Sequence, residues 1–119
     1  MKKIFLTIAL LCLVAVNGHA GLKVLGNGNS MRFDPSGFPS SMRTNYEIMK
    51  VKCVRCHTLE RTVVAITTGI SPITGQPFDR NAIRAYGIKM MRKPDSNMTK
   101  QEVKATVDLM NYMLDESTR

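Results

Sequence analysis

Apolar residues run along this 119-residue chain in three different rhythms. At the start, Lys2 and Lys3 precede an uncharged, mostly apolar run over residues 4–16, after which come the small residues Gly18 and Ala20. A membrane span needs about 20 apolar residues, and this run has 13. Residues 1–20 therefore read as a secretory signal peptide cut after Ala20. Residues 21–40 have no rhythm at all. Gly26-Asn27-Gly28-Asn29-Ser30 and Pro35-Ser36-Gly37-Phe38-Pro39 predict an irregular lead-in. Beyond residue 40 the spacing is helical. Met42, Tyr46, Met49 and Cys53 recur four, three and four residues apart behind a capping Ser40 or Ser41.

That apolar stripe leads straight into residues 53–57, and the short β-branched pair Val63-Val64 reads as the end of the same helix. Residues 67–77, with Gly69, Pro72, Gly75 and Pro77, predict a loop of a length that usually carries function. A second helix is expected from Asp79 as N-cap, with Phe78 and Ile83 as a hydrophobic staple. It should end near Met91, ahead of Pro94. The last helix has the clearest start: Thr99 as N-cap, Glu102 completing a capping box, and Met98 with Val103 as staple. Val103, Val107, Met110 and Leu114 then make an apolar face expected to lie against the first helix. The fold class that follows is all-α, with three to four helices over residues 41–119. No internal repeat or transmembrane span is visible after residue 20.

Composition changes the picture through what cleavage removes. Of three Cys, Cys12 falls in the signal segment; of two His, His19 does. The remaining 99 residues, enough for one small domain, keep Cys53, Cys56 and His57 as their only Cys and His. All three lie in Cys53-Val54-Arg55-Cys56-His57, a C-x-x-C-H motif. Two thiols at this spacing can add across the vinyl groups of haem, and the adjacent imidazole can reach the iron; the pattern is that of c-type haem attachment. A tetrahedral zinc site needs four protein ligands, and only three are available. A thioredoxin-like redox motif needs alternating strands and helices, which the pattern lacks. Export fits the haem reading, and the expected location is periplasmic or otherwise exported.

A single remaining histidine constrains the second axial position. If His57 is the proximal ligand, a methionine is the natural distal one, since a thioether favours ferrous iron. Three of the eight remaining Met are candidates. Met98 is accounted for by the staple and ranks last. Met90 shares a face with Ile83 and Gly87, at spacings of four and three, and the staple marks that face as inward. Gly87, without a side chain, would let a flat macrocycle approach. Met91 shares a mixed stripe with Arg84 and Ile88, which makes Met90 the favoured ligand and Met91 the alternate. Core filling is the ordinary role of any Met.

These elements together resemble the class I monohaem c-type cytochromes. The helix entering Cys53-Val54-Arg55-Cys56-His57, the stretch Met90-Met91-Arg92-Lys93-Pro94 and the final Leu109-Met110-Asn111-Tyr112-Met113-Leu114 carry the resemblance, which covers most of residues 41–115. It implies a small bundle wrapped around one covalent haem c, with the first and last helices crossing. It further implies that Tyr112 packs on Met49, and that the carbonyl of Pro72 takes the N–H of His57. Met49 stands four residues before Cys53, where the family often has an aromatic residue.

Charge suggests the partners. The whole chain is +8, and +6 without the first 20 residues. Lys50, Lys52 and Arg55 flank the haem motif, while Lys89, Arg92 and Lys93 flank Met90. Such a ring would steer an acidic redox partner; no nucleic-acid motif is present. The expected function is electron transfer by a His/Met-ligated haem, without enzymatic activity. The alternative is a haem protein that binds or senses a small gas at an open distal position.

Overall fold

The computed structural model describes residues 21–119; the expected signal peptide lies outside the described residues. Four helices carry the fold: α1 (Ser40–Lys52), α2 (Glu60–Thr68), α3 (Arg80–Met91) and α4 (Lys100–Ser117). Two short strands, β1 (Val24–Leu25) and β2 (Arg32–Phe33), pair antiparallel with Val24 opposite Phe33. α1 and α4 pack on one another, α3 lies along α4, and α2 touches α4. The shared core holds Tyr46 and Met49 from α1, Val63 and Ile66 from α2, Ile83 from α3, and Leu109 and Met113 from α4.

Three helix starts show how local sequence sets the boundaries. At α3, Asp79 Oδ1 accepts from the Ala82 N–H at 2.9 Å, with Phe78 and Ile83 both buried beside it. At α4, Thr99 Oγ1 accepts from the Glu102 N–H at 3.1 Å, and Glu102 Oε2 accepts from the Thr99 N–H at 2.8 Å. The reciprocal bonds satisfy two N–H groups that a helix start leaves without partners. At α1 the expectation of a serine cap is not met. The helix begins at Ser40 itself, Pro39 occupies the cap position, and no side chain caps it.

The lead-in is more ordered than its composition suggests. Tyr46 Oη accepts from the Phe33 N–H at 3.0 Å and donates to the Phe33 carbonyl at 2.8 Å. One hydroxyl thus saturates the polar backbone of a buried strand residue. Burial pushes the Tyr46 hydroxyl above its usual pKa, and the Phe33 hydrogen bond partly opposes that. Phe38 packs edge-on against Tyr46 and also against Tyr112, the latter at 5.3 Å between ring centres. Tyr112 therefore meets the lead-in through Phe38.

Two further expectations are corrected. The haem-motif helix does not run on to Val64. α1 stops at Lys52, a single 3₁₀ turn occupies Cys53–Arg55, and α2 begins only at Glu60. The buried residues of α2 are Val63, Ala65 and Ile66, and putting them in the core requires a change of chain direction after His57. On α4, the fully buried residues are Thr106, Leu109 and Met113, one row over from the expected stripe, whose Val107, Met110 and Leu114 pack half-buried against the same core. The helix is packed by α1 on one side and α3 on the other, so its buried arc is centred between the two contacts. Among the described residues no helix is long and apolar enough to cross a membrane.

Candidate functional site

A cavity partly open to solvent lies among α1, α3 and α4. One wall comes from α1 and the turn after it: Met49, Cys53 and His57. A second comes from α3 and the segment that follows: Gly87, Met90 and Met98. Val103, Thr106 and Met110 of α4 close it below, and Ser71, Pro72 and Ile73 of the α2–α3 loop line its rim. Residues far apart in sequence, including four thioethers, one thiol and the one imidazole of the described chain, therefore share a single concave and mostly apolar surface.

The thiol wall follows from how α1 ends. Cys53 caps it, its N–H bonding to the Met49 carbonyl, and the stripe that buries Tyr46 and Met49 brings Cys53 to the cavity half-buried. Burial pushes its thiol pKa up to about 11, so Cys53 is protonated at neutral pH. Cys56, three residues on, is exposed and does not line the cavity; both cysteines are free thiols. His57 is half-buried, and its Nδ1 lies 2.9 Å from the Thr58 carbonyl. A carbonyl oxygen only accepts, so this bond puts the proton on Nδ1 and leaves the lone pair of neutral His57 on Nε2. The expected Pro72 carbonyl is not the partner. Pro72 reaches the same cavity, but the neighbouring Thr58 supplies the acceptor.

The methionine wall distinguishes the candidates the sequence left in competition. Met90 lines the cavity, whereas Met91, half-buried one position on, does not. Met98 lines it as well, so serving as a staple does not remove it from the site. Met49 and Met110 are also in the lining and were missed as site residues. For Met49 a signal was available, since four residues before Cys53 is the same helical face. Gly87 lines the cavity, and it also has a reason in helix packing. A Cβ there would sit 2.7 Å from Val107 Cγ2 and 3.4 Å from Val103 Cγ1. The missing side chain is what lets α3 approach α4.

Polar groups in the lining are few and mostly satisfied. Ser71, 3% exposed, has its Oγ 2.9 Å from Tyr86 Oη, which ties the rim loop to α3. Thr106 Oγ1 donates to the Glu102 carbonyl at 2.6 Å. Among the described residues no three His, Cys, Asp or Glu side chains converge on a point. The ring of positive charge is also thinner than the sequence suggests. Lys50 pairs with Glu47 at 3.1 Å and Lys52 with Glu102 at 3.4 Å. Arg55, Lys89, Arg92 and Lys93 make no ion pair among the described residues. Comparison of the chain with protein-family models, with curated proteins and with solved structures returned no match.

Proposed function

We propose that the chain is an exported electron carrier holding one covalent haem c, with His57 and Met90 as axial ligands. The observation that carries this reading is the convergence of Cys53, His57 and Met90 on one apolar cavity. Its donors are those that haem iron accepts. Bound haem would supply a one-electron couple. The chain's residues do the rest. Cys53 and Cys56 would hold the group covalently, each thiol adding its sulfur and its hydrogen to the two carbons of one vinyl group. Cys56 must turn inward from its exposed position to do so. The Thr58 carbonyl orients the imidazole and raises its basicity through Nδ1, and the thioether of Met90 favours the reduced state. The mostly apolar lining would keep water from much of the group's surface.

The partner in this reading is a redox protein with an acidic docking surface. A shallow groove on the outer side of α3 is lined by Ala85, Ile88, Lys89, Arg92 and Lys93, with Ile88 39% exposed. An apolar centre with an unpaired cationic rim suits such a surface.

Two measurements test the proposal. Haem should stay on the polypeptide through denaturing electrophoresis, and Cys53→Ala with Cys56→Ala should abolish the stain. Absorption spectra should show a weak thioether–ferric band at the near-infrared edge of the visible range and no ready binding of carbon monoxide by the ferrous protein. Met90→Ala should erase the band, admit carbon monoxide and lower the potential, while Met91→Ala leaves all three nearly unchanged. Haem extractable by acid–acetone would end the covalent reading. Ready carbon monoxide binding by the wild type would favour a gas-binding haem protein instead.

A further inference from the structure

The segment between α3 and α4 carries Met98 into the cavity wall, and one side chain from the far side of the cavity reaches it. Lys52, the last residue of α1, donates from Nζ to the Asn97 carbonyl at 2.8 Å and lies 3.4 Å from Glu102 Oε1. Glu102 Oε2 in turn accepts from the Thr99 N–H at 2.8 Å. The backbone is therefore held at the residue before Met98 and at the residue after it, and both ties lead to Lys52. Asn97 has φ +49°, the only non-glycine with positive φ among the described residues. Asn tolerates this region better than most residues but still pays for it, so the kink needs an external hold. The Lys52 and Glu102 side chains are 21% and 26% exposed, partly shielded from solvent.

We infer that Lys52 is a positioning residue: through Asn97 and Glu102 it fixes the backbone on both sides of Met98 and keeps that thioether in the cavity wall. Because Lys52 immediately precedes Cys53, the same side chain ties the thiol wall to the methionine wall. Only the second readout below rests on the haem reading; the first is independent of it.

The test uses the purified full-length protein carrying Lys52→Met, which keeps an unbranched apolar stem and removes the ammonium, and Lys52→Arg, which keeps a donor. Amide exchange at Thr99 should quicken about tenfold in Lys52→Met, a loss of about 1.4 kcal/mol in local opening, and stay near wild type in Lys52→Arg. In holoprotein with labelled methionine methyls, the Met98 methyl should lie away from its random-coil position because of the ring current of the macrocycle. It should move at least halfway back in Lys52→Met while Met90 holds still. Unchanged Thr99 exchange overturns the brace. So do joint movements of Met90 and Met98, which would mean general loosening. A protein that holds no haem refutes the proposed function and leaves the exchange result to decide the brace alone.

Discussion

The two walls of the cavity are built on opposite terms. The methionine wall belongs to the core. Ile83 is fully buried, Gly87 is pressed against Val107, and α3 is capped and stapled at its start. The thiol wall, past Cys53, is one 3₁₀ turn in which Val54, Arg55 and Cys56 are all exposed, held by little more than the cap on α1 and the His57–Thr58 contact. Helix packing fixes the part of the first wall that α3 supplies, Gly87 and Met90. The second has an imidazole, one thiol in the lining with another exposed beside it, and few apolar contacts of its own past Cys53. Local stability follows buried apolar contact, so the difference can be broken experimentally.

The largest effect should come from withholding the group. In the proposed reading haem fills the space between the walls, and a chain carrying Cys53→Ala with Cys56→Ala leaves that apolar surface open. Circular dichroism on heating should then show no cooperative transition, with residues 53–59 the first to lose amide protection. A haem-free chain that melts as sharply as the holoprotein would show that the thiol wall stands without the group.

A middling effect should come from crowding the methionine wall. Gly87→Ala places a Cβ where Val107 Cγ2 already lies, and valine has no rotamer freedom to spare inside a helix. Overpacking of this kind costs about 1–3 kcal/mol, against a gain of about 1 kcal/mol in helix propensity. The expected net loss is about 1 kcal/mol, read by denaturant unfolding of the holoprotein. Val107→Ala should cost less in the Gly87→Ala background than in wild type. Equal costs would show that α4 yields freely, and that the glycine is not what sets the approach.

How much of this was legible in the sequence divides along the same line. Caps and staples are local chemistry, so Asp79, Thr99 and Glu102 announce themselves within a few residues, and both helices they start were readable. The C-x-x-C-H spacing is local too. What could not be read depends on residues brought together from afar. The Phe33–Tyr46 hydrogen bonds order a lead-in whose composition reads as irregular. The shift of the α4 stripe to Thr106, Leu109 and Met113 needs both α1 and α3 in place. The reason for Gly87 lies 20 residues away at Val107. Met98 ranks last on a local explanation, the staple, that is compatible with its lining the cavity. For His57 the reverse holds: its partner is the adjacent Thr58 carbonyl and not the distant Pro72.

The smallest effect should come from the outer tie of the methionine wall. Arg80 Nη2 lies 2.7 and 2.6 Å from the two carboxylate oxygens of Asp115, joining the first residue of α3 to the last turn of α4. The distances are short, but the side chains are 58% and 49% exposed, and pairs so exposed contribute about 0–1 kcal/mol. Each partner is also badly placed on its own helix, a cation at a positive N-terminus and an anion near a negative C-terminus. Removing either one loses the pair and relieves one unfavourable dipole contact. Arg80→Ala should therefore change stability by less than about 0.5 kcal/mol. The double change Arg80→Ala with Asp115→Ala should be no worse than either single one. The coupling from that cycle should shrink in 1 M salt, where the screening length falls to about 3 Å. A salt-resistant coupling above about 1 kcal/mol would make this pair part of what holds α3 in place, and the methionine wall would then owe its rigidity to its edge as well as to its core.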